Sequence, residues 1–163
     1  MVRGRNETLE STASATIAEL PNQAQPSTAE KRGLNLYEYQ PLDRTRCEIR
    51  LLVLHPGPKV SKELLHCTIR HTDLEKRPKP LYETISYAWG SAKRRKDVLV
   101  DGATLRIPLS AEQALRRMRY QDRDRILWID SACINQTDLT ERGHQVQLMA
   151  QVYSKTFRWV QCL

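Results

Sequence analysis

The sequence lacks a long apolar run, a secretory leader and any closely spaced pair of cysteines. No stretch reaches the roughly 18 apolar residues that a membrane-spanning helix needs. The first five residues include two arginines but precede no apolar core, so we do not expect a signal peptide. No Cys-x-x-Cys pair occurs among Cys47, Cys67, Cys133 and Cys162. We therefore expect reduced thiols and a cytoplasmic location, with the nucleus as the alternative.

Sequence signatures of several enzyme classes are missing as well. The chain contains no glycine-rich phosphate-binding motif and no Gly-x-Ser-x-Gly motif. His66, His71 and His144 show no recognised metal-ligand spacing, and Cys67 would point to the opposite face of a strand from its neighbour His66. We expect no metal site and no required cofactor.

Aromatic residues are absent from the first 35 positions, which are rich in Ser, Thr, Ala, Gln, Glu and Pro. Such a segment cannot bury enough apolar area to offset the entropy lost on ordering. We predict a disordered tail over residues 1–35 and one folded domain over residues 36–163.

The chain carries a net charge of +7, from 26 Lys and Arg against 19 Asp and Glu. The densest basic run is Lys93-Arg-Arg-Lys96, which we interpret as a solvated loop. The alternatives are a nuclear-import signal and a nucleic-acid patch. No aromatic residue interrupts the run, so base stacking gains no support and nucleic acid is not the expected partner.

The apolar pattern predicts strands at 47–54, 64–69, 84–87 and 125–129, and a last strand at 157–163. Asp101-Gly102 lies between two apolar runs within 97–107 and predicts a hairpin, because both turn residues need a positive φ. Strands alternating with helices favour a three-layer α/β fold with a β-rich amino-terminal part.

Two helices are predicted between and after these strands. Ser110 and Gln113 form a capping box for the first helix. Its apolar face comprises Ala111, Leu115 and Met118. Asp138 is the predicted N-cap of the second helix, in which Gly143 requires either compensating packing or a close backbone approach. Its predicted buried face comprises Val146, Met149, Ala150 and Tyr153.

Polar and aromatic side chains cluster just after two of the predicted strands. Since open α/β sheets bind ligands beyond the carboxyl ends of their strands, both clusters are candidates for the edge of a site. The candidate ligand-pocket residues are Ser86, Tyr87, Trp89, Gly90, Asp130, Cys133, Asn135, Gln136, Glu141 and Arg142. No residue among them is assigned a catalytic role.

Several of these candidates also have a purely structural interpretation. Asp130 could hold a ribose hydroxyl, a metal or an arginine, or cap the next turn. Glu141 suits the first turn of a helix, and Arg142 could bind phosphate or form a surface ion pair. Cys133 has no evident His partner, so we expect a buried, unreactive thiol. Trp128 is expected in the core, whereas Trp89 could line a pocket or pack inside.

Three blocks of the sequence resemble the fungal heterokaryon incompatibility (HET) domain. They are Ile85-Ser-Tyr-Ala-Trp-Gly90, then Leu127-Trp-Ile-Asp-Ser-Ala-Cys-Ile-Asn-Gln136, then Glu141-Arg142 followed by Gln145-Val146, Met149 and Val152-Tyr153. The second block matches the family pattern at nearly every position, and the resemblance covers about residues 47–156. It implies a role in nonself recognition and programmed cell death, through self-association or contact with other signalling proteins.

The HET family is also thought to be distantly similar to TIR domains, some of which hydrolyse NAD. This resemblance implies a TIR-like sheet, and it makes NAD cleavage the alternative function, with NAD as substrate. Beyond Tyr153 the chain departs from the family pattern, and the helix that would carry a TIR-like Glu is absent. We expect a truncated domain with an unfinished carboxyl-terminal sheet edge, and therefore an inactive enzyme site.

Overall fold

The computed structural model describes residues 35–88, 90 and 93–162. The predicted tail and Trp89 therefore lie outside the described residues, except for Asn35. The strands are β1 (Glu48–Leu54), β2 (His66–Asp73), β3 (Glu83–Tyr87), β4 (Arg95–Val100), β5 (Ala103–Pro108), β6 (Arg125–Trp128) and β7 (Arg158–Cys162). The helices are α1 (Leu109–Met118), α2 (Asp130–Cys133) and α3 (Leu139–Lys155).

Within the described residues, the strands form one mixed sheet in the order β5-β4-β2-β1-β6-β3-β7. The central strand β1 is antiparallel to both of its neighbours, β2 and β6, whereas β3 is parallel to β6 and to β7. Residues 49–54 of β1 are all buried, so this strand is covered on both faces rather than on one. The arrangement confirms the predicted α/β class.

The helices pack on this sheet through apolar faces and a few fixed polar contacts. The apolar face predicted for α1 is buried, and α1 packs against β3, β4 and β5. On α3, the carbonyl of Val152 accepts a 2.7 Å hydrogen bond from the Tyr82 hydroxyl, and the ring of Tyr153 packs edge-on against Trp128. None of the helices in the described part of the chain is long and apolar enough to cross a membrane.

The structure corrects both predicted helices. The capping box is wrong, because α1 begins at Leu109 with Pro108 in the N-cap position and no side-chain cap. The predicted buried face of α3 is wrong at two of its four positions, since Val146 is 55% exposed and Ala150 is exposed, whereas Met149 and Tyr153 are partly buried against the core. Glu141, Gln145, Leu148 and Val152 are buried instead. Two of these four side chains are polar, so hydrophobic periodicity could not find the face.

The hairpin and most strands agree with the sequence. Asp101 and Gly102 have φ values of 51° and 79°, as the predicted turn requires. The second strand is displaced, running from His66 to Asp73. Arg95 and Lys96 begin β4, so only half of the basic run is loop. The residues after β6 form the short helix α2, where a loop was expected.

Two glycines allow a matched stability test. Gly57 has φ +154°, and a Cβ there would lie 2.3 Å from Cζ of Arg119, whose guanidinium donates to the carbonyls of His55 and Pro56. Gly57→Ala should lower the free energy of unfolding by about 1–3 kcal/mol. Gly143 is exposed and a Cβ there meets nothing within 4 Å, which excludes the close approach considered above.

Gly143→Ala should therefore raise the free energy of unfolding by about 0.5–1 kcal/mol, because alanine is the better helix former. Urea titration of both variants beside the wild-type chain measures the two effects. If both variants changed the free energy of unfolding in the same direction, the backbone geometry described for one of the two glycines would be contradicted.

Candidate functional site

The two motif strands lie side by side, as their positions in the sequence suggested. β3 and β6 are parallel neighbours, with Thr84 opposite Trp128. Tyr87 at the end of β3 and Asp130 just after β6 therefore reach the same edge of the sheet. Ser86 lies near this edge, half-buried and paired with Gln161 of β7.

Asp130 is the acidic residue of this edge. Its Oδ1 accepts a 2.7 Å hydrogen bond from the backbone N–H of Ser131, and its carbonyl accepts from Nε2 of Gln136 at 2.9 Å. These contacts are local to the first turn of α2, in which Asp130 is the first helical residue and Ile129 is the N-cap without a side-chain cap. The Gln136 side chain therefore stabilises the second motif loop from within.

Two tyrosines lie within electrostatic range of this carboxylate. Burial raises the pKa of Tyr87 well above its ordinary value, the Ser131 hydroxyl opposes that shift, and the charge of Asp130 adds to it. Burial and then the charge of Asp130 also raise the pKa of Tyr153. Both phenols therefore keep their protons at neutral pH, and the hydroxyl of Tyr87 is itself buried. We call Tyr87, Asp130, Ser131 and Tyr153 the motif corner.

A small cavity of about 130 Å³ adjoins the motif corner. Its lining residues are Tyr87, Ala88, Ser110, Gln113, Ala114, Arg117 and Cys162. Pockets for cofactors and drug-sized ligands usually enclose about 300–1,000 Å³, so this cavity is too small for a dinucleotide. Gly90, the last residue of the first motif block, is exposed and has a φ of 61°.

Glu141 is not at the motif corner but in a buried ion pair. Its two carboxylate oxygens accept hydrogen bonds from Nη1 and Nη2 of Arg50, at 2.6 and 2.9 Å. Oε1 also accepts from the backbone N–H of Asn135 at 2.7 Å. Side-chain exposure is 0% for Arg50 and 8% for Glu141. The pair therefore ties β1, the second motif loop and α3 together.

Arg50 makes further contacts that sequence reasoning missed. Its Nη1 donates to the carbonyl of Cys133 at 3.2 Å, and its Nη2 donates to the carbonyl of Gln40 at 2.6 Å. The Tyr39 ring lies 4.8 Å from the guanidinium, and its hydroxyl donates to the carbonyl of Ala132. The signal in the sequence was a lone Arg within the apolar run of β1. We call Arg50, Glu141 and the backbone groups they bind the arginine clamp.

The remaining candidates contribute structure rather than an open pocket. Cys133 is fully buried, and burial raises the pKa of its thiol to about 12, which supports the expectation of an unreactive cysteine. The side-chain oxygen of Asn135 accepts from Thr137, which shapes the turn before α3. Asp138 caps α3 as predicted, accepting from the N–H groups of Thr140 and Glu141. Arg142 is exposed.

A larger cavity lies at the other end of these strands. It encloses about 490 Å³ near the starts of β3 and β6, where Arg125 and Glu83 form a bidentate ion pair. Its rim includes Leu81 and Phe157, both mostly exposed. No candidate residue from the sequence lines this cavity.

The family model for heterokaryon incompatibility protein (HET) matches residues 82–163, half of the chain. The chain belongs to this family. A HET relative is the heterokaryon incompatibility protein 6, OR allele, of Neurospora crassa, which is 34% identical over 154 residues. That match covers 86% of this chain but 22% of the relative, so the chain spans about a fifth of the relative's length. No solved structure matches this HET chain, so the TIR-like form of the sheet stays a prediction.

The HET match locates the arginine clamp with respect to the family region. Glu141, Asn135 and Cys133 lie inside the matched residues, whereas Arg50 and the whole of β1 precede them. The HET segment is thus completed by a strand from outside its matched limits. The HET motif residues divide between the arginine clamp, where Cys133 and Glu141 are buried, and the motif corner, where Asp130 and Tyr153 are half-buried.

Proposed function

We propose that this chain acts in fungal nonself recognition, as the HET domain of a protein that signals heterokaryon incompatibility and programmed cell death. The observation that carries the proposal is the HET family match over residues 82–163. The name of the Neurospora relative supports it. Because the chain spans a fifth of that relative, the activity and partners of a whole protein are part of the proposal.

The division of the motif residues suggests how such a domain would act. The arginine clamp holds the second motif loop against β1, so the motif corner is presented on a rigid base. The Tyr87 hydroxyl is buried, whereas Asp130 and Tyr153 are half-buried, so the carboxylate and the Tyr153 phenol are the groups suited to directional hydrogen bonds with another protein surface. We assign the corner to contacts with a second copy or with other signalling proteins, a role that needs no cofactor.

Induced expression of the full chain in a compatible fungal strain tests this proposal. We expect a clear fall in the fraction of cells that exclude a vital dye. Asp130→Asn, which alters the motif corner but keeps an acceptor for the Ser131 N–H, should relieve cell death without lowering the melting temperature. Arg142→Gln changes an exposed residue outside the corner and is the matched control. Full viability with the wild-type chain at normal protein levels would contradict the proposal.

NAD cleavage is the second candidate, because Asp130 lies at a strand edge with two phenols. Breaking the bond between nicotinamide and ribose develops positive charge on the ribose, which a free carboxylate must stabilise. Glu141 is held by Arg50, and the adjoining cavity encloses about 130 Å³. We therefore infer that the 163-residue chain does not hydrolyse NAD, although NAD remains the substrate to test.

Nicotinamide release by the purified chain measures this directly. The rate should equal that of the Asp130→Ala and Glu141→Ala variants and of buffer alone. Turnover by the wild-type chain that disappears in Asp130→Ala would show that the motif corner is a complete catalytic site.

A further inference from the structure

A concave surface on the β4–β5 hairpin contains none of the motif residues. It encloses about 300 Å³ and is lined by Lys93, Arg95, Lys96, Asp97 and Arg106. We call it the basic groove. Its volume is at the lower end of the usual range for small-molecule sites.

The walls of the basic groove are held in place by the hairpin. Asp97 and Arg106 are directly opposite each other in the antiparallel register, and Nε of Arg106 donates to Oδ1 of Asp97 at 3.0 Å. Nη1 of Arg95 donates to the carbonyl of Arg106 at 3.0 Å. The positive-φ turn at Asp101 and Gly102 closes the hairpin. Guanidinium groups fixed in this way lose little further freedom when they bind a ligand.

The charge of the basic groove is strongly unbalanced. Four cationic side chains line it, and Asp97 is its one acidic residue among the described part of the chain. That carboxylate is engaged by Arg106. Arg95 and Lys96 make no ion pair within the described residues. The groove therefore suits an anion with several charges, and arginine and lysine are the side chains that commonly bind phosphate.

The residues that line the basic groove also indicate which class of ligand it binds. Among the described residues, no aromatic side chain lines the groove, so these residues offer no surface on which a nucleobase could stack. Its small volume favours a compact ligand over an extended nucleic-acid backbone. Charge, fixed geometry and size together indicate closely spaced phosphate groups on a small scaffold.

We propose that the basic groove binds a ligand that carries two or more phosphate groups, supplied either as a free polyphosphate or as the headgroup of a membrane lipid. This site goes beyond the proposed function, and its test does not depend on cell-death activity. Arg95 contacts the phosphates from the face of β4 that it shares with Asp97, whose carboxylate holds Arg106 in position, and Lys93 and Lys96 add positive charge along the groove.

Calorimetric titration of the full chain with inorganic tripolyphosphate, at about 0.15 M salt, tests the proposal. We expect saturable one-to-one binding that weakens as the salt concentration rises. The variant R95Q/K96Q should bind at least about tenfold more weakly, because one guanidinium contact and one neighbouring positive charge are lost. The matched control is K62Q/R70Q, which removes the same charge at two exposed residues outside the groove. Circular dichroism checks that both variants remain folded.

The second arm of the experiment distinguishes the two sources of phosphate. Vesicles that contain phosphatidylinositol bisphosphate are compared with phosphatidylserine vesicles of equal surface charge. Retention by the first alone, with displacement by tripolyphosphate, would identify a lipid headgroup. Binding of tripolyphosphate without retention by either vesicle would identify a free polyphosphate. Both results support the groove.

Three results would overturn the proposal. Absence of saturable tripolyphosphate binding would exclude a phosphate site. An equal loss of affinity in K62Q/R70Q would show that net charge alone attracts the anion. Equal retention by both vesicle types, unaffected by R95Q/K96Q, would indicate diffuse attraction to anionic surfaces.

Discussion

Replacing Glu141 with alanine is expected to lower the free energy of unfolding by about 3–5 kcal/mol, because the change leaves Arg50 charged and buried without its counterion. The guanidinium is 0% exposed, and the carbonyls of Gln40 and Cys133 would be its remaining described acceptors. Small domains are typically stable by about 5–15 kcal/mol, so this loss is a large fraction of the total. Urea unfolding monitored by circular dichroism measures the loss.

A surface ion pair gives the control for this prediction. Glu75 pairs with Lys155, but its side chain is 57% exposed. Glu75→Ala should leave the unfolding midpoint nearly unchanged, since exposed pairs contribute little. A double-mutant cycle with Arg50→Met isolates the coupling between Arg50 and Glu141. Additive effects of the two substitutions, or a loss in Glu141→Ala no larger than in Glu75→Ala, would refute the arginine clamp.

Replacing Trp128 with alanine should also lower the free energy of unfolding by about 3–5 kcal/mol, through loss of packing rather than of charge. The Trp128 side chain is fully buried, and its ring lies 5.8 Å from that of Tyr153 in an edge-on arrangement. The side chain therefore joins the sheet to α3, and its removal would open a large cavity between them. Urea titration measures this loss from the midpoint of unfolding and from the slope of the free energy of unfolding against urea concentration.

Two further tryptophan variants make this result specific. Trp128→Phe keeps most of the aromatic packing and should cost clearly less than Trp128→Ala. Trp159→Ala removes the same side chain from β7, where it is 56% exposed, and should have a small effect. If Trp128→Ala and Trp159→Ala were equally mild, Trp128 would not belong to the core.

The features that sequence predicted correctly depend on local chemistry. Asp101-Gly102 specifies its turn because those residues tolerate positive φ, whatever the rest of the chain does. Trp128 lies in a short apolar run, and such runs are buried in most folds. The parallel pairing of β3 and β6 then brought together the two polar clusters that follow them.

The features that sequence did not predict depend on contacts between distant residues. Arg50 and Glu141 are 91 positions apart, and each one alone looks like a solvent-exposed charge. Gln145 is buried because its side-chain amide donates to the carbonyl of Glu48 on β1. An analysis of hydrophobic periodicity assigns Glu141 and Gln145 to the exposed side of α3. The predicted buried face therefore lay at the wrong angle around the helix axis.

The central position of β1 determines where this domain can be divided. A chain shortened to the family match at residue 82 would lose the strand that lies between β2 and β6, and β2 itself. The edge of β6 would then expose its unpaired backbone groups to solvent or to another strand. Glu141 would remain inside with no cation beside it. For gene fusions and domain exchange between relatives, the transferable unit therefore begins before Glu48, more than thirty residues upstream of the recognisable motif region.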